Sequence, residues 1–228
     1  MQKYFKKYNI ELETEELKKF EKFLEIFKEK NAQINLSAIR DDEGIIEKHF
    51  IDSVMLNVFM ELEGKIADMG TGGGFPLLPL AIINPSVQFT GIDSVGKKLK
   101  AIDSFSQDLG LDNVNTLNGR AEEIGQNEAY REQFDYVTSR ATAYFPTLLE
   151  YVIPLLKVGG IFIAYKLDDK EELKSAKKAL SRLSAKILKV KNYEIGDQKR
   201  TLVIIEKLQT THKKYPRKVG IPLAKPIV

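Results

Sequence analysis

A glycine-rich turn near residue 70 constrains the fold of this chain more than any other feature of its sequence. The apolar run 66–69 carries one acidic residue, Asp68, and glycines follow at positions 70, 72, 73 and 74. An apolar run long enough for a helix then begins at Phe75. A strand, a glycine turn and a helix in this order are typical of α/β proteins in which the backbone approaches a nucleotide-like ligand.

The glycine spacing indicates which ligand the turn would accept. A dinucleotide-binding turn needs its third glycine three residues after the second, and Phe75 occupies that position. The spacing present, with Asp68 ahead of it, suits S-adenosylmethionine (SAM) better than a pyrophosphate. We therefore predict SAM as the cofactor, with these contacts: Asp68, Gly70, Gly72, Gly74 and Phe75. A nicotinamide-dependent oxidoreductase, the alternative, would require a glycine at position 75.

Composition removes several other kinds of chemistry. The 228 residues are 43% apolar and include no cysteine and two histidines, so thiolate chemistry is excluded and we predict no metal site. The N-terminus lacks the apolar core of a signal peptide, and the apolar run 75–83 is too short to span a bilayer. We expect a cytoplasmic protein that does not act at a membrane.

The hydrophobic pattern changes character at about residue 64. Helical periodicity covers 13–30 and 43–61, which predicts a helical N-terminal cap over residues 1–63. Strands and helices then alternate, which predicts a seven-stranded, mostly parallel sheet in a Rossmann-like fold. The last two strands would form a hairpin, which predicts one antiparallel strand at the end of the sheet. The SAM-binding core would span 64–208, with a basic tail over 209–228 packed on it. The predicted strands are 65–69, 87–92, 114–118, 136–139, 160–166, 186–193 and 200–206, and the helices between them are 76–83, 96–109, 127–133, 143–156 and 169–184.

Polar residues follow several of these strands, where ligands of open α/β sheets bind. Asp93, after the second strand, is placed to accept hydrogen bonds from both ribose hydroxyls, or else to cap the following helix. Ala121 and Glu122, after the third strand, would meet the adenine ring, or else begin a helix. Arg140, after the fourth strand, would bind the cofactor carboxylate or an RNA phosphate, or else form a surface ion pair.

Residues 207–228 hold six basic residues and no acidic one. Such a tail fits a polyanionic partner, with nucleic acid the leading candidate. On charge alone, a solvated tail explains it equally well.

Motifs along nearly the whole chain resemble a known family, the bacterial small-subunit ribosomal RNA methyltransferases of the G type (RsmG, or GidB, glucose-inhibited division protein B). The resemblance rests on the order and spacing of these segments: Asn31-x-x-x-Asn35-Leu36-Ser37-Ala38-Ile39, His49-Phe50-x-Asp52-Ser53, Asp68 to Pro76, Gly119-Arg120-Ala121-Glu122, Ser139-Arg140-Ala141, Tyr215-Pro216-Arg217-Lys218-x-Gly220-x-Pro222 and Lys225-Pro226.

The resemblance implies a SAM-dependent methyltransferase acting on N7 of a guanine in 16S ribosomal RNA, as naked RNA or within the small subunit. It implies that Gly70, Phe75, Ala121, Glu122 and Arg140 hold SAM. It also implies that Asn35, His49 and the basic terminal segment face the RNA. We expect a monomer with no obligate protein partner. One departure is visible: Leu77 stands where the family usually has a glycine, which should slightly alter helix packing near the cofactor.

A guanine N7 has an in-plane lone pair, so methyl transfer can be a direct displacement that needs no strong base. Asn35, His49 and Arg140 are therefore candidates for positioning the reactants, and we favour this role for His49 over proton transfer. We expect phosphate contacts from a set of basic residues: Lys166, Arg200, Lys213, Lys214, Arg217, Lys218 and Lys225. Tyr144 and Phe145 could stack on the target base, although core packing is the better interpretation of Phe145.

Two alternatives keep parts of this interpretation. A SAM-dependent methyltransferase for a small molecule or a protein keeps the fold but has no need of the basic tail. A non-catalytic RNA-binding module would bind RNA without SAM.

Overall fold

In a computed structural model the chain folds around one seven-stranded sheet, and the structure describes residues 1–140, 143–167 and 170–228, with only the backbone of Lys170. Ala141 of the Ser-Arg-Ala motif and the first residue of the predicted helix 169–184 lie outside the described residues. The strands are β1 Lys65–Met69, β2 Gln88–Asp93, β3 Val114–Asn118, β4 Phe134–Arg140, β5 Leu156–Leu167, β6 Ala185–Ile195 and β7 Gln198–Lys207.

The strand order is β3-β2-β1-β4-β5-β7-β6. Strands β1 to β5 pair in parallel, and β7 runs antiparallel to both β5 and β6. The predicted single antiparallel strand is confirmed, but it lies second from the edge rather than at the end of the sheet. The reason is that β6 leaves space beside β5 for β7 to return between them.

The helices before the sheet are α1 Gln2–Lys6, α2 Thr14–Ile34, α3 Asp42–Ile45 and α4 Asp52–Phe59, with a π-helical turn, Ile46–Ile51, between the last two. Those that follow are α5 Leu77–Ile83, α6 Gly96–Leu109, α7 Ala121–Gln126, α8 Phe145–Val152, α9 Lys170–Ser175, α10 Lys177–Arg182 and α11 Ile221–Ala224. Among the described residues, no helix is both long and apolar enough to cross a membrane.

The predicted helix 127–133 is wrong. Helix α7 lies just before this segment, with Glu122 and Glu123 in its first turn, where acidic side chains favour a helix N-terminus. The segment itself forms turns, because Glu132 has a left-handed φ of 56° and Arg131 donates hydrogen bonds to the carbonyls of Gly125 and Tyr215. Helix α1, which the sequence analysis missed, is short and buries Phe5.

A cluster of phenylalanine rings joins the N-terminal helices to the glycine turn. Phe23 and Phe27 of α2 lie 5.7 Å and 5.0 Å from the ring of Phe75, and Phe50 stacks on Phe23 at 5.0 Å. Each of these four rings is at most 6% exposed, and burial of one such side chain contributes roughly 2 kcal/mol. The helices before residue 63 are therefore packed against the turn. The domain boundaries at 63/64 and 208/209 stay predictions.

Candidate functional site

A cavity of about 470 Å³, here called the turn cavity, lies at the carboxyl ends of β1 to β4. The chain segments that meet there are the glycine turn, the ends of β2 and β3, Arg140 and the loop after α2. Its described lining residues are Leu36, Ser37, His49, Met69, Gly70, Thr71, Gly72, Gly73, Phe75, Ile92, Asp93, Ser94, Lys98, Gly119, Arg120, Ala121, Glu122, Arg140 and Tyr151. Seven of the nine predicted cofactor contacts thus line one cavity, and Asp68 and Gly74 are the two that do not.

Hydrogen bonds to the neighbouring strand β2 fix the conformation of the glycine turn. The amides of Gly70 and Thr71 both donate to the carbonyl of Ile92, at 2.8 and 3.1 Å. Gly72 has a left-handed φ of 56°, and a Cβ added there would meet only the carbonyl oxygen of Gly70, at 3.7 Å. Because Gly72 lines the cavity, glycine leaves that space free for a ligand to approach the backbone.

At Gly74, unlike Gly72, glycine is required by packing against α5. Its φ is 92°, and a Cβ there would lie 2.7 Å from Cδ1 of Leu78. A side chain at this position would therefore clash with the first turn of α5.

Asp93 has the capping role that its position suggested, and its predicted role towards ribose hydroxyls stays compatible with the geometry. Its Oδ1 accepts from the amide of Val95, the residue before α6, and its Oδ2 accepts from the amide of Gly72 at 3.0 Å. Each carboxylate oxygen has a further lone pair, and the residue lines the cavity. The carboxylate is therefore fixed in orientation and still able to accept from a ligand hydroxyl.

Asp68 lies beneath the turn rather than in the cavity wall. Its Oδ1 accepts from the hydroxyl of Thr138 at 2.8 Å, while Oδ2 makes no well-formed hydrogen bond to any described residue. Burial raises the pKa of Asp68 to about 6, against the opposing effect of the Thr71 and Thr138 hydroxyls. The hydroxyl of Thr71, which lines the cavity, is likewise buried and lies close enough to the Asp68 carboxylate to affect its pKa, without forming a well-aligned hydrogen bond.

His49 is carried by the π-helical turn, a feature that often occurs at functional sites. Its ring stacks on Phe75 with centroids 4.5 Å apart and an interplanar angle of 12°. Nδ1 lies 3.0 Å from Nη2 of Arg140 and Nε2 lies 2.7 Å from Oγ of Ser37. Burial and the positive charge of Arg140 lower the pKa of His49 to about 3, so the ring is neutral at physiological pH.

The loop after α2 places Ser37 against this ring. Buried Asn31 accepts from the amide of Ser37 at 2.8 Å and donates to the carbonyl of Ile39 at 3.2 Å. Asn35, by contrast, is an exposed residue with a left-handed φ of 57° that ends α2, and its side chain accepts from Arg40. Asn35 lines neither the turn cavity nor the second cavity described next, and its role in positioning the reactants stays a prediction.

A second cavity of about 460 Å³, here called the basic cavity, shares His49 and Arg140 with the turn cavity. Arg140 also donates to Oδ2 of Asp52 at 3.1 Å and to the carbonyl of Lys48 at 3.0 Å, so its guanidinium stands between the two cavities in a fixed orientation. Lys166 and Arg200 both line the basic cavity. Its other described lining residues are Ile39, Lys48, Asp52, Tyr165, Leu167, Glu172 and Tyr193.

The C-terminal tail is fastened beside the turn cavity by two carboxylates. Glu122 accepts from the amide of Gly220 at 3.0 Å. Glu150 of α8, whose side chain is fully buried, accepts from the amide, Nε and Nη2 of Arg217 at 2.7 to 3.1 Å. The guanidinium of Arg217 is thus paired with a buried carboxylate. We therefore interpret Arg217 as part of a structural ion pair rather than as the expected phosphate contact.

The other residues predicted to contact RNA differ in their solvent exposure. Lys213, Lys214, Lys218 and Lys225 are exposed on the tail. Tyr144 is 43% exposed, whereas Phe145 is fully buried against Phe162, as expected of a core residue.

Several residues at the site were not singled out by the sequence analysis. Ser37 and Asp52 occur in the quoted motifs, whereas Tyr151 occurs in none of them. Asp52 accepts from Tyr193, 141 residues away, a partner that no local pattern indicates. Burial and the nearby Glu122 carboxylate raise the pKa of Tyr151 to about 12. In the sequence, only the spacing of the His49-Phe50-x-Asp52 motif indicated that His49 and Asp52 belong to one hydrogen-bonded group.

Comparison with known proteins gives consistent results. The sequence model of the GidB family, described as rRNA small subunit methyltransferase G, matches residues 16–203. Proteins named ribosomal RNA small subunit methyltransferase G from Clostridium novyi (strain NT) and Lactococcus lactis subsp. lactis (strain IL1403) are 43% and 42% identical, and each alignment covers 96% of this chain and 93% or 94% of the relative.

Solved structures agree on the fold. A SAM-dependent methyltransferase from Aquifex aeolicus superposes with a TM-score of 0.55 at 19% identity, over 72% of this chain and 93% of that one. TrmN from Thermus thermophilus gives a TM-score of 0.54 at 18% identity, over 69% of this chain and 48% of that one. The predicted α/β fold of SAM-dependent methyltransferases is confirmed.

Proposed function

Since the chain belongs to the GidB family of rRNA small subunit methyltransferases, we propose that it transfers a methyl group from SAM to N7 of a guanine in 16S ribosomal RNA. The observation that carries the proposal is the turn cavity, in which a glycine turn, a fixed carboxylate and a stacked aromatic ring meet at the ends of parallel strands. Family membership indicates the substrate, and the cavity has a suitable size for binding the cofactor.

The residues present fit SAM. The space above Gly72 would be filled by a Cβ, and Thr71 presents a hydroxyl to the same cavity. We propose that Gly70 and Gly72 lie against the cofactor backbone, that Asp93 accepts from its ribose hydroxyls, and that Ala121 and Glu122 meet the adenine. When bound, SAM supplies an electrophilic methyl group on a positively charged sulfur.

The chain's own task is then to orient the base and exclude water, because N7 of guanine needs no deprotonation. His49 suits that task better than proton transfer. A pKa of about 3 makes it a weak base, and its Nδ1 lone pair already accepts a hydrogen bond from Arg140. We therefore assign His49 and Arg140 to positioning, in a rigid partition between the two cavities.

The exposed lysines of the tail support an RNA substrate. Lys213, Lys214, Lys218 and Lys225 project from a segment that ion pairs and backbone hydrogen bonds fasten beside the turn cavity. We propose that these lysines contact phosphates, that the substrate is the small subunit or its RNA, and that the protein acts as a monomer in the cytoplasm, where ribosomes are assembled.

Transfer of labelled methyl from SAM tests the proposal. Purified protein is incubated with small subunits, with naked 16S rRNA and with large-subunit rRNA, and the labelled nucleoside is identified by mass spectrometry. We expect 7-methylguanosine from small-subunit RNA alone. Label in a protein or a small molecule, or at another atom of the base, would reject the proposed acceptor. Failure of calorimetry to detect SAM binding would reject the cofactor.

A further inference from the structure

The C-terminal tail packs on the helix that forms one wall of the turn cavity. The side chain of Gln126, the last residue of α7, donates to the carbonyls of Lys213 and Pro216 at 3.0 and 2.6 Å. In the first turn of the same helix, the carboxylate of Glu122 accepts from the amide of Gly220 at 3.0 Å. The tail therefore runs along α7 and contacts both of its ends.

Helix α8 anchors the same stretch of the tail. Glu150 pairs with Arg217, and the hydroxyl of buried Thr147 donates to the carbonyl of Pro222 at 2.9 Å. Gly220 lies between these two anchored tail residues in sequence. Its amide is therefore held in a defined position relative to both helices.

The carboxylate of Glu122 connects the tail to the turn cavity. Glu122 is 6% exposed and lines the cavity together with Ala121 and Tyr151. The Tyr151 hydroxyl is a second donor to this carboxylate, and burial together with the carboxylate raises the pKa of Tyr151 to about 12, so the hydroxyl keeps its proton at neutral pH. A carboxylate has about four lone-pair sites. Two donors therefore fix the orientation of Glu122 and leave it able to accept from a ligand.

An oriented carboxylate distinguishes purine bases by the group on carbon 6. An ionised carboxylate can only accept hydrogen bonds. The 6-amino group of adenine donates, whereas the 6-oxo group of hypoxanthine only accepts and would be repelled by the carboxylate. Sites built to hydrogen-bond one group of a ligand discriminate strongly against analogues that lack it. The discrimination depends on the direction in which the carboxylate points.

We propose that Gly220 is a positioning residue for the cofactor, whose amide orients the Glu122 carboxylate so that the cavity accepts adenine and rejects hypoxanthine. The inference rests on the proposed function, in which the adenine of SAM meets Ala121 and Glu122. It gives the C-terminal tail a role in cofactor recognition in addition to its proposed contacts with RNA.

The backbone conformation of Gly220 provides a way to break the contact with one substitution. Its φ is 82°, which a β-branched residue rarely adopts, so Gly220→Val should shift the backbone and withdraw the amide from Glu122. Gly220→Asn should keep the contact, because asparagine tolerates left-handed φ values.

Gly159 offers a matched control. Its φ is 81°, and a Cβ added at Gly159 or at Gly220 would meet no described atom within 4 Å. Gly159 shares a groove with Gly64 and Asp135, next to the first residues of β1 and β4, and does not line the turn cavity. Gly159→Val therefore imposes the same backbone strain at the opposite end of the sheet.

Calorimetry on the full-length protein measures the discrimination without catalysis. The two ligands are S-adenosylhomocysteine and S-inosylhomocysteine, which carry adenine and hypoxanthine respectively. We expect wild type, Gly220→Asn and Gly159→Val to prefer the adenine ligand about a hundredfold, and Gly220→Val to lower this ratio about tenfold. A general loosening of the site would weaken both ligands alike and leave the ratio unchanged.

Urea unfolding checks that each variant is folded, and if Gly220→Val is not, Gly220→Ala and Gly159→Ala replace the valine pair. The inference is overturned if the Gly220 variant keeps the wild-type ratio, if the Gly159 variant lowers the ratio equally, or if the wild-type protein does not discriminate. Failure of the wild-type protein to bind S-adenosylhomocysteine would instead reject the cofactor site of the proposed function, so the two failures are distinguishable.

Discussion

Arg140 donates a hydrogen bond from Nη2 to Nδ1 of His49 at 3.0 Å, and this contact fixes the tautomer of the imidazole. A guanidinium can only donate, so Nδ1 must be the accepting nitrogen and the proton must lie on Nε2. Nε2 in turn donates to Oγ of Ser37. The resulting chain Arg140–His49–Ser37 runs along the partition between the two cavities and holds it rigid.

The neutral state of His49 makes folding stability depend on pH. Its folded pKa of about 3 lies below the ordinary value of 6.5, so the unfolded chain binds more protons between these values. The contribution of the neutral ring is complete above pH 6.5 and is lost as the pH falls towards 3. We expect His49→Gln to be less stable than wild type at pH 7.5, and this gap to shrink by roughly 2 kcal/mol at pH 5. Urea unfolding at both pH values measures the gap, and a constant gap would show that His49 titrates normally.

The hydroxyl of Ser37 accepts two hydrogen bonds, from His49 and from the amide of Ile39 at 3.1 Å. Ser37→Ala leaves both donors without their partner, which should lower the free energy of unfolding by roughly 1–3 kcal/mol. Ser37→Thr keeps the hydroxyl and should recover most of that loss. We also expect the alanine variant to reduce the methylation rate, because His49 loses one of its two anchors. Equal stability and rate for the alanine and threonine variants would contradict the assignment.

The sequence predicts the sheet and the turn well because both depend on local patterns. Apolar runs located all seven strands, and the glycine spacing identified the turn cavity. The pattern for helix 127–133 failed because Arg131 finds its acceptors in the distant tail, and these contacts stabilise turns instead.

Side-chain pairing was harder to predict than secondary structure. Nothing in the local sequence shows that Arg217 would meet Glu150, 67 residues away, or that Asn31 rather than Asn35 would organise the loop at Ser37. The sequence shows the charge of Arg217 and the amides of Asn31 and Asn35. It does not show their partners, because these are set by packing between elements that are distant in sequence.

Leu77 is the departure from the family pattern, and it does not line the turn cavity. The residue is fully buried in α5 and packs over Gly91, where an added Cβ would lie 2.7 Å from its Cδ2. Leu77→Ala should therefore lower the free energy of unfolding by about 3 kcal/mol through a core cavity, with SAM affinity within about threefold of wild type. Leu188→Ala, at an exposed leucine, serves as the control. A large loss of SAM affinity without a loss of stability would show that Leu77 acts on the cofactor.

The exposed lysines of the tail should act through RNA charge rather than through folding. We expect Lys213→Ala combined with Lys214→Ala to weaken RNA binding at low salt and to reduce the slope of log affinity against log salt by roughly 2. The matched control replaces Lys186 and Lys189, two exposed lysines near the start of β6, at the end of the sheet opposite the cavities. Binding isotherms over a range of KCl concentrations measure the slope. Identical slopes for the tail and control variants would remove the tail from the RNA interface.

Arg217 should behave differently from its lysine neighbours, because its partner is a carboxylate with no solvent exposure. Arg217→Met leaves the charge of Glu150 buried and unpaired, which we expect to cost roughly 3 kcal/mol of folding stability. Lys218→Met, one residue further on, should change stability by less than about 0.5 kcal/mol. Adding Glu150→Gln to Arg217→Met removes the buried charge, so the double variant should be more stable than the sum of the single changes predicts. Additive losses in urea unfolding would mean that the two residues do not interact, and the tail would then need another anchor beside the turn cavity.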